Sequence, residues 1–168
     1  MKRLAIFQEA TETRLHLLSA APEFVKPNRH EASNFAGQAI DGSTTAVEVA
    51  QRFFNAGAKS VAISLGADGM IFQRAVSRDA FVAVPSPLAE CSPVGCGDAA
   101  LAGFAVAYER ELSDEETLRL AAACGAANCM ADAPGRVDAS MVQRLGQAVA
   151  VRRVLACESS RHVAVEAQ

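Results

Sequence analysis

The sequence lacks an excess of charge of either sign and an apolar run long enough to cross a membrane. Its 168 residues include 16 Lys and Arg against 19 Asp and Glu, which gives a formal net charge of −3 at pH 7. A chain without a basic field does not attract phosphate backbones, so we expect no nucleic-acid partner. Charged residues or glycines interrupt every apolar stretch before it reaches about 20 residues, so we expect no membrane partner either.

The cysteines lack the paired spacing that zinc sites require. Five cysteines are scattered along the chain without a C-x-x-C pair, and the three histidines do not cluster. We therefore expect reduced thiols, no zinc site and a cytoplasmic location. The apolar run after the basic first residues ends at Gln8, too early for a signal peptide.

The order of apolar patterns predicts an α/β fold in a single domain. Residues 4–7 are typical of a buried strand, helical spacing follows in residues 11–21, and residues 23–26 are again extended. A helix is predicted over residues 42–57, then a hairpin of residues 61–65 and 70–72, and a further strand at 80–84. Three more helices are predicted to begin at Asp98, Ser113 and Asp138.

Residues 92–98, SPVGCGD, place two glycines, a cysteine and a carboxylate directly before a predicted helix. Unpaired N–H groups at a helix start attract anions, so the amides of Gly95, Cys96 and Gly97 are a candidate phosphate site. A carboxylate at this place repels phosphate, which suggests that Asp98 accepts a proton from an attacking hydroxyl. The alternative, favoured for this segment alone, is that Asp98 only caps the helix.

Two earlier motifs have the residue types of a magnesium and nucleotide site. In KPNRHE, Asn28 and Glu31 offer oxygen atoms that can organise Mg²⁺ and its waters, although the same spacing is that of a capping box. In SLGADG, Ser64, Gly66 and Gly69 can hold a nucleotide against the backbone, although the motif is also typical of a hairpin turn. Taken alone, each motif favours the purely structural interpretation.

Taken in order, KPNRHE, SLGADG and VGCGDAALAGF resemble the motifs of the ribokinase-like, or phosphofructokinase B, family of carbohydrate kinases. VKPNRHEAS and SPVGCGDAALAGFAVA are most similar to the branch that contains 1-phosphofructokinase and tagatose-6-phosphate kinase. The resemblance extends from about residue 4 to residue 145. It implies a three-layer αβα sandwich, in which residues 1–150 are the C-terminal nucleotide-binding and catalytic part and residues 151–168 are a C-terminal strand or loose tail.

The resemblance implies transfer of phosphate from ATP, with Mg²⁺, to a hydroxyl of a sugar phosphate of the fructose-1-phosphate or tagatose-6-phosphate type. Asp98 would be the catalytic base, and the amides of Gly95, Cys96 and Gly97 would form the anion hole. The other implied site residues would hold Mg²⁺ through water (Asn28 and Glu31) or contact the nucleotide (Ser64, Gly66, Gly69 and Asn128). The alternative for Asn128 is a buried amide whose hydrogen bonds are satisfied by its neighbours.

The chain departs from the family in length and at one motif position. It has about half the usual number of residues, nothing before residue 4 resembles the sugar-binding first half with its lid, and Cys96 replaces an alanine. We expect either a kinase, as a homodimer or associated with a missing N-terminal half, or a nucleotide-binding protein without kinase activity of its own. A dinucleotide-dependent dehydrogenase fits poorly, because its glycines should follow the first strand, with an acidic residue about 20 positions later.

Overall fold

The structure, a computed structural model, describes residues 18, 20–77, 79–86 and 92–155. The strand predicted at residues 4–7, most of the helix predicted at residues 11–21 and the tail beyond residue 155 lie outside the described residues. The elements in chain order are α1 Arg29–Ala36, α2 Ser43–Asn55, β1 Ser60–Ser64, β2 Met70–Arg74, β3 Asp79–Val84, α3 Cys96–Glu109, α4 Asp114–Cys129, α5 Ala139–Ala148 and β4 Ala150–Leu155.

Four antiparallel strands form one sheet in the order β1-β2-β3-β4. On the other side of β1, the segment before α1 runs parallel to it through the bridges Val25–Val61 and Asn28–Ser64. The predicted hairpin of residues 61–65 and 70–72 is therefore confirmed as β1 and β2. The second bridge places the residue before α1 next to the last residue of β1, so two of the candidate motifs meet at one end of the sheet.

Helices cover both faces of the sheet and bury an apolar cluster on each. Successive strand residues point to opposite faces, so Ile71 packs in the cluster with α1 and α2. Its neighbour Phe72 packs in the other cluster, which contains Phe104 of α3 and Leu118 of α4. This arrangement is the predicted three-layer αβα sandwich, and it leaves the ends of the strands and the starts of the helices available to form a site.

The helix starts predicted at Ser113 and Asp138 are confirmed. Ser113 and Glu116 form a reciprocal capping box, and the Asp138 carboxylate accepts hydrogen bonds from the main-chain N–H groups of Ser140 and Met141. Hydrogen bonds from the Ser113 side chain and backbone lower the pKa of Glu116. Asp138 has its pKa lowered in the same way, chiefly by the side chain of Ser140. Both caps therefore stabilise the folded chain most when these carboxyl groups are ionised, and they weaken as the pH falls.

Gly69, between the turn after β1 and the start of β2, cannot carry a side chain without displacing β3. Its φ is +95°, and a Cβ there would lie 1.9 Å from the main-chain oxygen of Ala83. We expect Gly69→Ala to reduce the free energy of unfolding by roughly 3 kcal/mol, measured by urea denaturation. Gly66→Ala is the matched control, because nothing lies within 4 Å of its added Cβ. Equal losses for the two variants would contradict this account of the turn.

Three expectations from composition concern the thiols, metal sites and membrane-spanning segments. Cys96 and Cys124 are free thiols, whereas Cys129 is disulfide-bonded, which differs from the expectation of reduced thiols throughout. No group of three or more His, Cys, Asp or Glu side chains in the described part of the chain could hold a metal ion. Within the same residues, no helix has the length and apolar character needed to span a membrane.

Candidate active site

The three candidate motifs surround one cavity with a volume of about 860 Å³. This volume is in the range of sites that bind small molecules and cofactors. The cavity lies where the end of β1 and the starts of α1 and α3 approach one another. Its lining includes Lys26, Asn28, Arg29, Glu31, Ser64, Gly66, Gly69, Cys96, Gly97 and Asp98.

Asp98 lies in the first turn of α3 but does not cap it. The helix begins at Cys96, two residues earlier than predicted, and its N-cap is Gly95 at φ +79°, a left-handed conformation that favours glycine. No side chain makes a capping hydrogen bond at this end of the helix. The Asp98 side chain is instead exposed at the cavity. The capping interpretation of Asp98 is therefore wrong, and its carboxylate is available to a ligand.

The three amides predicted to form the anion hole differ in position. Gly95 is absent from the described residues that line the cavity. The Cys96 N–H already donates to the Pro93 oxygen at 3.3 Å. Within the described part of the chain, the N–H groups of Gly97 and Asp98 have no acceptor, and both residues line the cavity. The main-chain donors available to an anion are thus displaced along α3, toward Asp98 itself.

Asn28 and Glu31 form the capping box of α1 at the edge of the cavity. The Asn28 side-chain oxygen accepts from the Glu31 N–H at 2.9 Å, and the Glu31 Oε2 accepts from the Asn28 N–H at 2.8 Å. The structural interpretation is therefore correct, but it leaves the second carboxylate oxygen of Glu31 free of these bonds. The oxygen atoms fit Mg²⁺ held through water, and this metal role stays a prediction.

Arg29 connects the capping-box turn to the glycine-rich turn. Its guanidinium donates to the Leu65 main-chain oxygen at 2.8 Å and forms an ion pair with Asp68. Ser64, Gly66 and Gly69 line the cavity around this turn. The sequence alone suggested no role for Arg29, although this residue is part of the KPNRHE motif.

Lys26 is a cation at the start of α3 that sequence reasoning also missed. Its Nζ lies 3.4 Å from where a Cβ on Gly97 would be, so the ammonium is next to the main chain of α3. Burial lowers the pKa of Lys26, and the negative charges of Glu31 and Asp98 partly oppose that shift. The first residue of KPNRHE thus places a basic side chain beside the glycine segment at the start of α3.

Asn128 does not contact the cavity. Its side chain is only 2% exposed, and the residue is absent from the described cavity lining. Its amide donates to the Val94 oxygen at 2.8 Å and accepts from the Gly135 N–H at 2.8 Å. The geometry supports the alternative, a buried amide whose hydrogen bonds are satisfied by its neighbours. The predicted contact between Asn128 and adenine is therefore not part of the function proposed below.

With this geometry established, comparison with known proteins identifies the family. Residues 4–135 match the description pfkB family carbohydrate kinase. The chain belongs to this family. Over 121 residues it is 36% identical to 1-phosphofructokinase of Escherichia coli strain K12, an alignment that covers 72% of this chain and 38% of the relative.

Solved structures of the family share the fold. Phosphofructokinase-2 from Escherichia coli, in complex with substrates and products, has a TM-score of 0.73 at 26% identity, covering 84% of this chain and 46% of that one. Arabidopsis thaliana ribokinase complexed with ribose and ATP has a TM-score of 0.70 at 25% identity, covering 79% and 43%. The predicted family and the ribokinase-like fold are confirmed, and the matched part spans less than half of each relative.

Proposed function

We propose that this chain is the nucleotide-binding and catalytic part of an ATP-dependent sugar-phosphate kinase. One observation carries the proposal: Asp98, Lys26 and Gly97, whose N–H has no acceptor among the described residues, line one region of a cavity that the capping-box and glycine-rich turns also line. These groups supply a proton acceptor, a cation and a main-chain donor. This combination suits phosphoryl transfer, because catalysis of that reaction consists mostly of positioning and charge stabilisation.

Each group has a separate role in the proposed reaction. Asp98 accepts the proton of the acceptor hydroxyl as that oxygen bonds to the γ-phosphorus of ATP, while the bond from this phosphorus to the β,γ-bridging oxygen breaks and ADP leaves. Lys26 and the Gly97 N–H stabilise the negative charge on the phosphoryl group in transfer, in a site where burial strengthens electrostatic interactions. Asn28 and Glu31 would hold the water shell of Mg²⁺, which when bound would neutralise charge on the ATP phosphates.

The nucleotide is proposed to lie along the glycine-rich turn. Ser64, Gly66 and Gly69 line the cavity, and Arg29 holds this turn against the start of α1. Glycine at positions 66 and 69 allows a phosphate to approach the backbone closely. We propose that the ATP phosphates run from this turn toward the start of α3, where Lys26 and Gly97 lie.

The proposed acceptor is a sugar phosphate of the fructose-1-phosphate or tagatose-6-phosphate type. Support for this class comes from the relative named 1-phosphofructokinase, of which the matched part covers 38%. We propose that further acceptor contacts come from a second copy or from an N-terminal half. The same partial coverage supports a second candidate function, a nucleotide-binding protein without turnover of its own. The expected cytoplasmic location stays a prediction.

Phosphorylation assays with calorimetry separate these functions. The purified chain is supplied with MgATP and a panel of ketohexose phosphates, alone and with the separately produced N-terminal half of a relative. We expect formation of ADP and a sugar bisphosphate that depends on the acceptor and on Mg²⁺. Binding of MgADP without transfer in either arrangement would select the nucleotide-binding protein, and absence of nucleotide binding would reject both.

A further inference from the structure

The buried amide of Asn128 joins three segments of the chain. Asn128 is the penultimate residue of α4, and its Nδ2 reaches the Val94 oxygen at 2.8 Å and the Cys96 sulfur at 3.5 Å. Its Oδ1 accepts from the Gly135 N–H at 2.8 Å. A single side chain therefore ties the end of α4 to the turn before α3 and to the loop before α5.

The hydrogen bond to Val94 orients the peptide from which α3 begins. A trans peptide unit is planar, so holding the Val94 oxygen toward Asn128 makes the Gly95 N–H point in the opposite direction. Gly95 is also packed tightly, since a Cβ there would lie 3.1 Å from Pro134 Cβ and 3.3 Å from Asn128 Nδ2. The turn before α3 thus rests directly on the Asn128 amide and on the loop that this amide holds.

The proposed catalytic groups depend on where this turn places the helix. Gly97 and Asp98 are the second and third residues of α3, directly after the turn. Within the described residues, no hydrogen bond fixes the Asp98 carboxylate, so its position is set by the main chain of its helix. A displacement of about 1 Å in such a group is enough to reduce a reaction rate roughly 100-fold.

We propose that Asn128 is a positioning residue, which holds the start of α3 so that Asp98 and the Gly97 N–H face the phosphoryl group. This inference rests on the proposed function of the cavity. Asn128 acts through the main chain of the turn and does not touch the substrates. A residue that only stabilised the fold would change the free energy of unfolding without a selective effect on the transferring group.

The matched control is Gln73, a second buried amide in the described part of the chain. It is also 2% exposed, and it is hydrogen-bonded to the Gln51 side chain and the Ser77 oxygen. It lies on β2 and is absent from the described cavity lining. Gln73→Met and Asn128→Leu each remove a buried amide while keeping similar size, so both lower stability, but only the second releases the turn.

Amide hydrogen exchange tests the structural part of the proposal. The Ala99 N–H, which donates to the Gly95 oxygen at 2.9 Å, reports the start of α3. We expect its exchange to accelerate at least about tenfold in Asn128→Leu relative to Gln73→Met, because local opening exposes it. Equal exchange at Ala99 in the two variants would overturn the proposal.

A second variant keeps the test decisive if Asn128→Leu does not fold. Asn128→Asp retains an acceptor for the Gly135 N–H but removes the donor to the Val94 oxygen. We expect faster exchange at Ala99 with Gly135 still protected. Retained protection at both amides would show that the bond to Val94 does not hold the turn, and would overturn the proposal.

Ligand binding tests the catalytic part. Aluminium fluoride with MgADP mimics the phosphoryl group in transfer, and the affinity gained over MgADP alone measures how well the site fits it. We expect this gain to fall at least about tenfold in Asn128→Leu, with MgADP affinity within about threefold of the parent. An unchanged gain would overturn the positioning role. A parent chain that binds no MgADP would overturn the proposed function, and the exchange comparison at Ala99 would still decide whether Asn128 holds the turn.

Discussion

Replacing Asp98 by asparagine should lower kcat by about 100- to 10,000-fold, the contribution typical of a general base. The amide keeps the size and position of the side chain but cannot accept the hydroxyl proton. The affinity for MgADP should change little, because the proton is transferred only as the acceptor oxygen attacks. Steady-state kinetics with a sugar phosphate acceptor gives kcat, and calorimetry gives the MgADP affinity.

The same variant also separates catalysis from folding. Asp98 makes no capping hydrogen bond, so its loss removes the favourable interaction of a negative charge with the helix start, about 0.3–1 kcal/mol, together with the attraction between Asp98 and Lys26. Asp132→Asn is a suitable control, since Asp132 is exposed and absent from the described cavity lining. If Asp98→Asn retained the parent activity, the proton acceptor would be another group and the proposed mechanism would fail.

Replacing Lys26 by methionine should lower kcat by about 100- to 1,000-fold without weakening the fold. The loss in rate is expected because Lys26 supplies the positive charge beside Gly97, and removing one such stabilising donor typically costs this factor. Methionine keeps a flexible stem of similar length. Kinetics and urea denaturation of the same preparation measure the two effects together.

The direction of the stability effect follows from the lowered pKa of Lys26. Burial makes the folded chain hold this proton less tightly than the unfolded chain does, so the buried ammonium costs stability at neutral pH. That cost is relieved only as the pH rises from the lowered pKa toward the ordinary lysine value. We therefore expect Lys26→Met to have an unchanged or higher free energy of unfolding at neutral pH.

A control for general loss of charge is Lys59→Met. Lys59 forms an exposed ion pair with Glu23 at 2.5 Å and does not belong to the described cavity lining. Its replacement should leave kcat unchanged and shift stability by less than about 1 kcal/mol. Full activity of Lys26→Met would show that the ammonium does not contact the transferring phosphoryl group.

The two largest predicted effects concern Asp98 and Lys26, and the sequence alone indicated a function for only the first of them. Asp98 was evident in the sequence because a carboxylate repels phosphate and therefore needs another role beside a glycine segment that is predicted to bind phosphate. Lys26 was not, because a lysine before proline has no local signature of function. The pairing of the segment before α1 with β1 places Lys26 beside the start of α3, and its proposed role depends on that tertiary contact.

The sequence by itself determined the features that depend on short-range interactions. The hairpin of β1 and β2 and the caps at Ser113 and Asp138 involve residues within a few positions of one another, so composition and spacing were sufficient. The order of the three motifs was likewise enough to predict the family, because their sequence of appearance is itself a pattern.

Only the tertiary structure decided which of these residues share a site. In the structure, α3 begins two residues before Asp98, and Lys26 lies next to Gly97. Gly95 and Asn128 do not belong to the described cavity lining. Positions so far apart in the chain meet through the register of the sheet and the packing of helices on it. Local sequence patterns do not predict the distances between these residues, because packing across the whole core sets those distances.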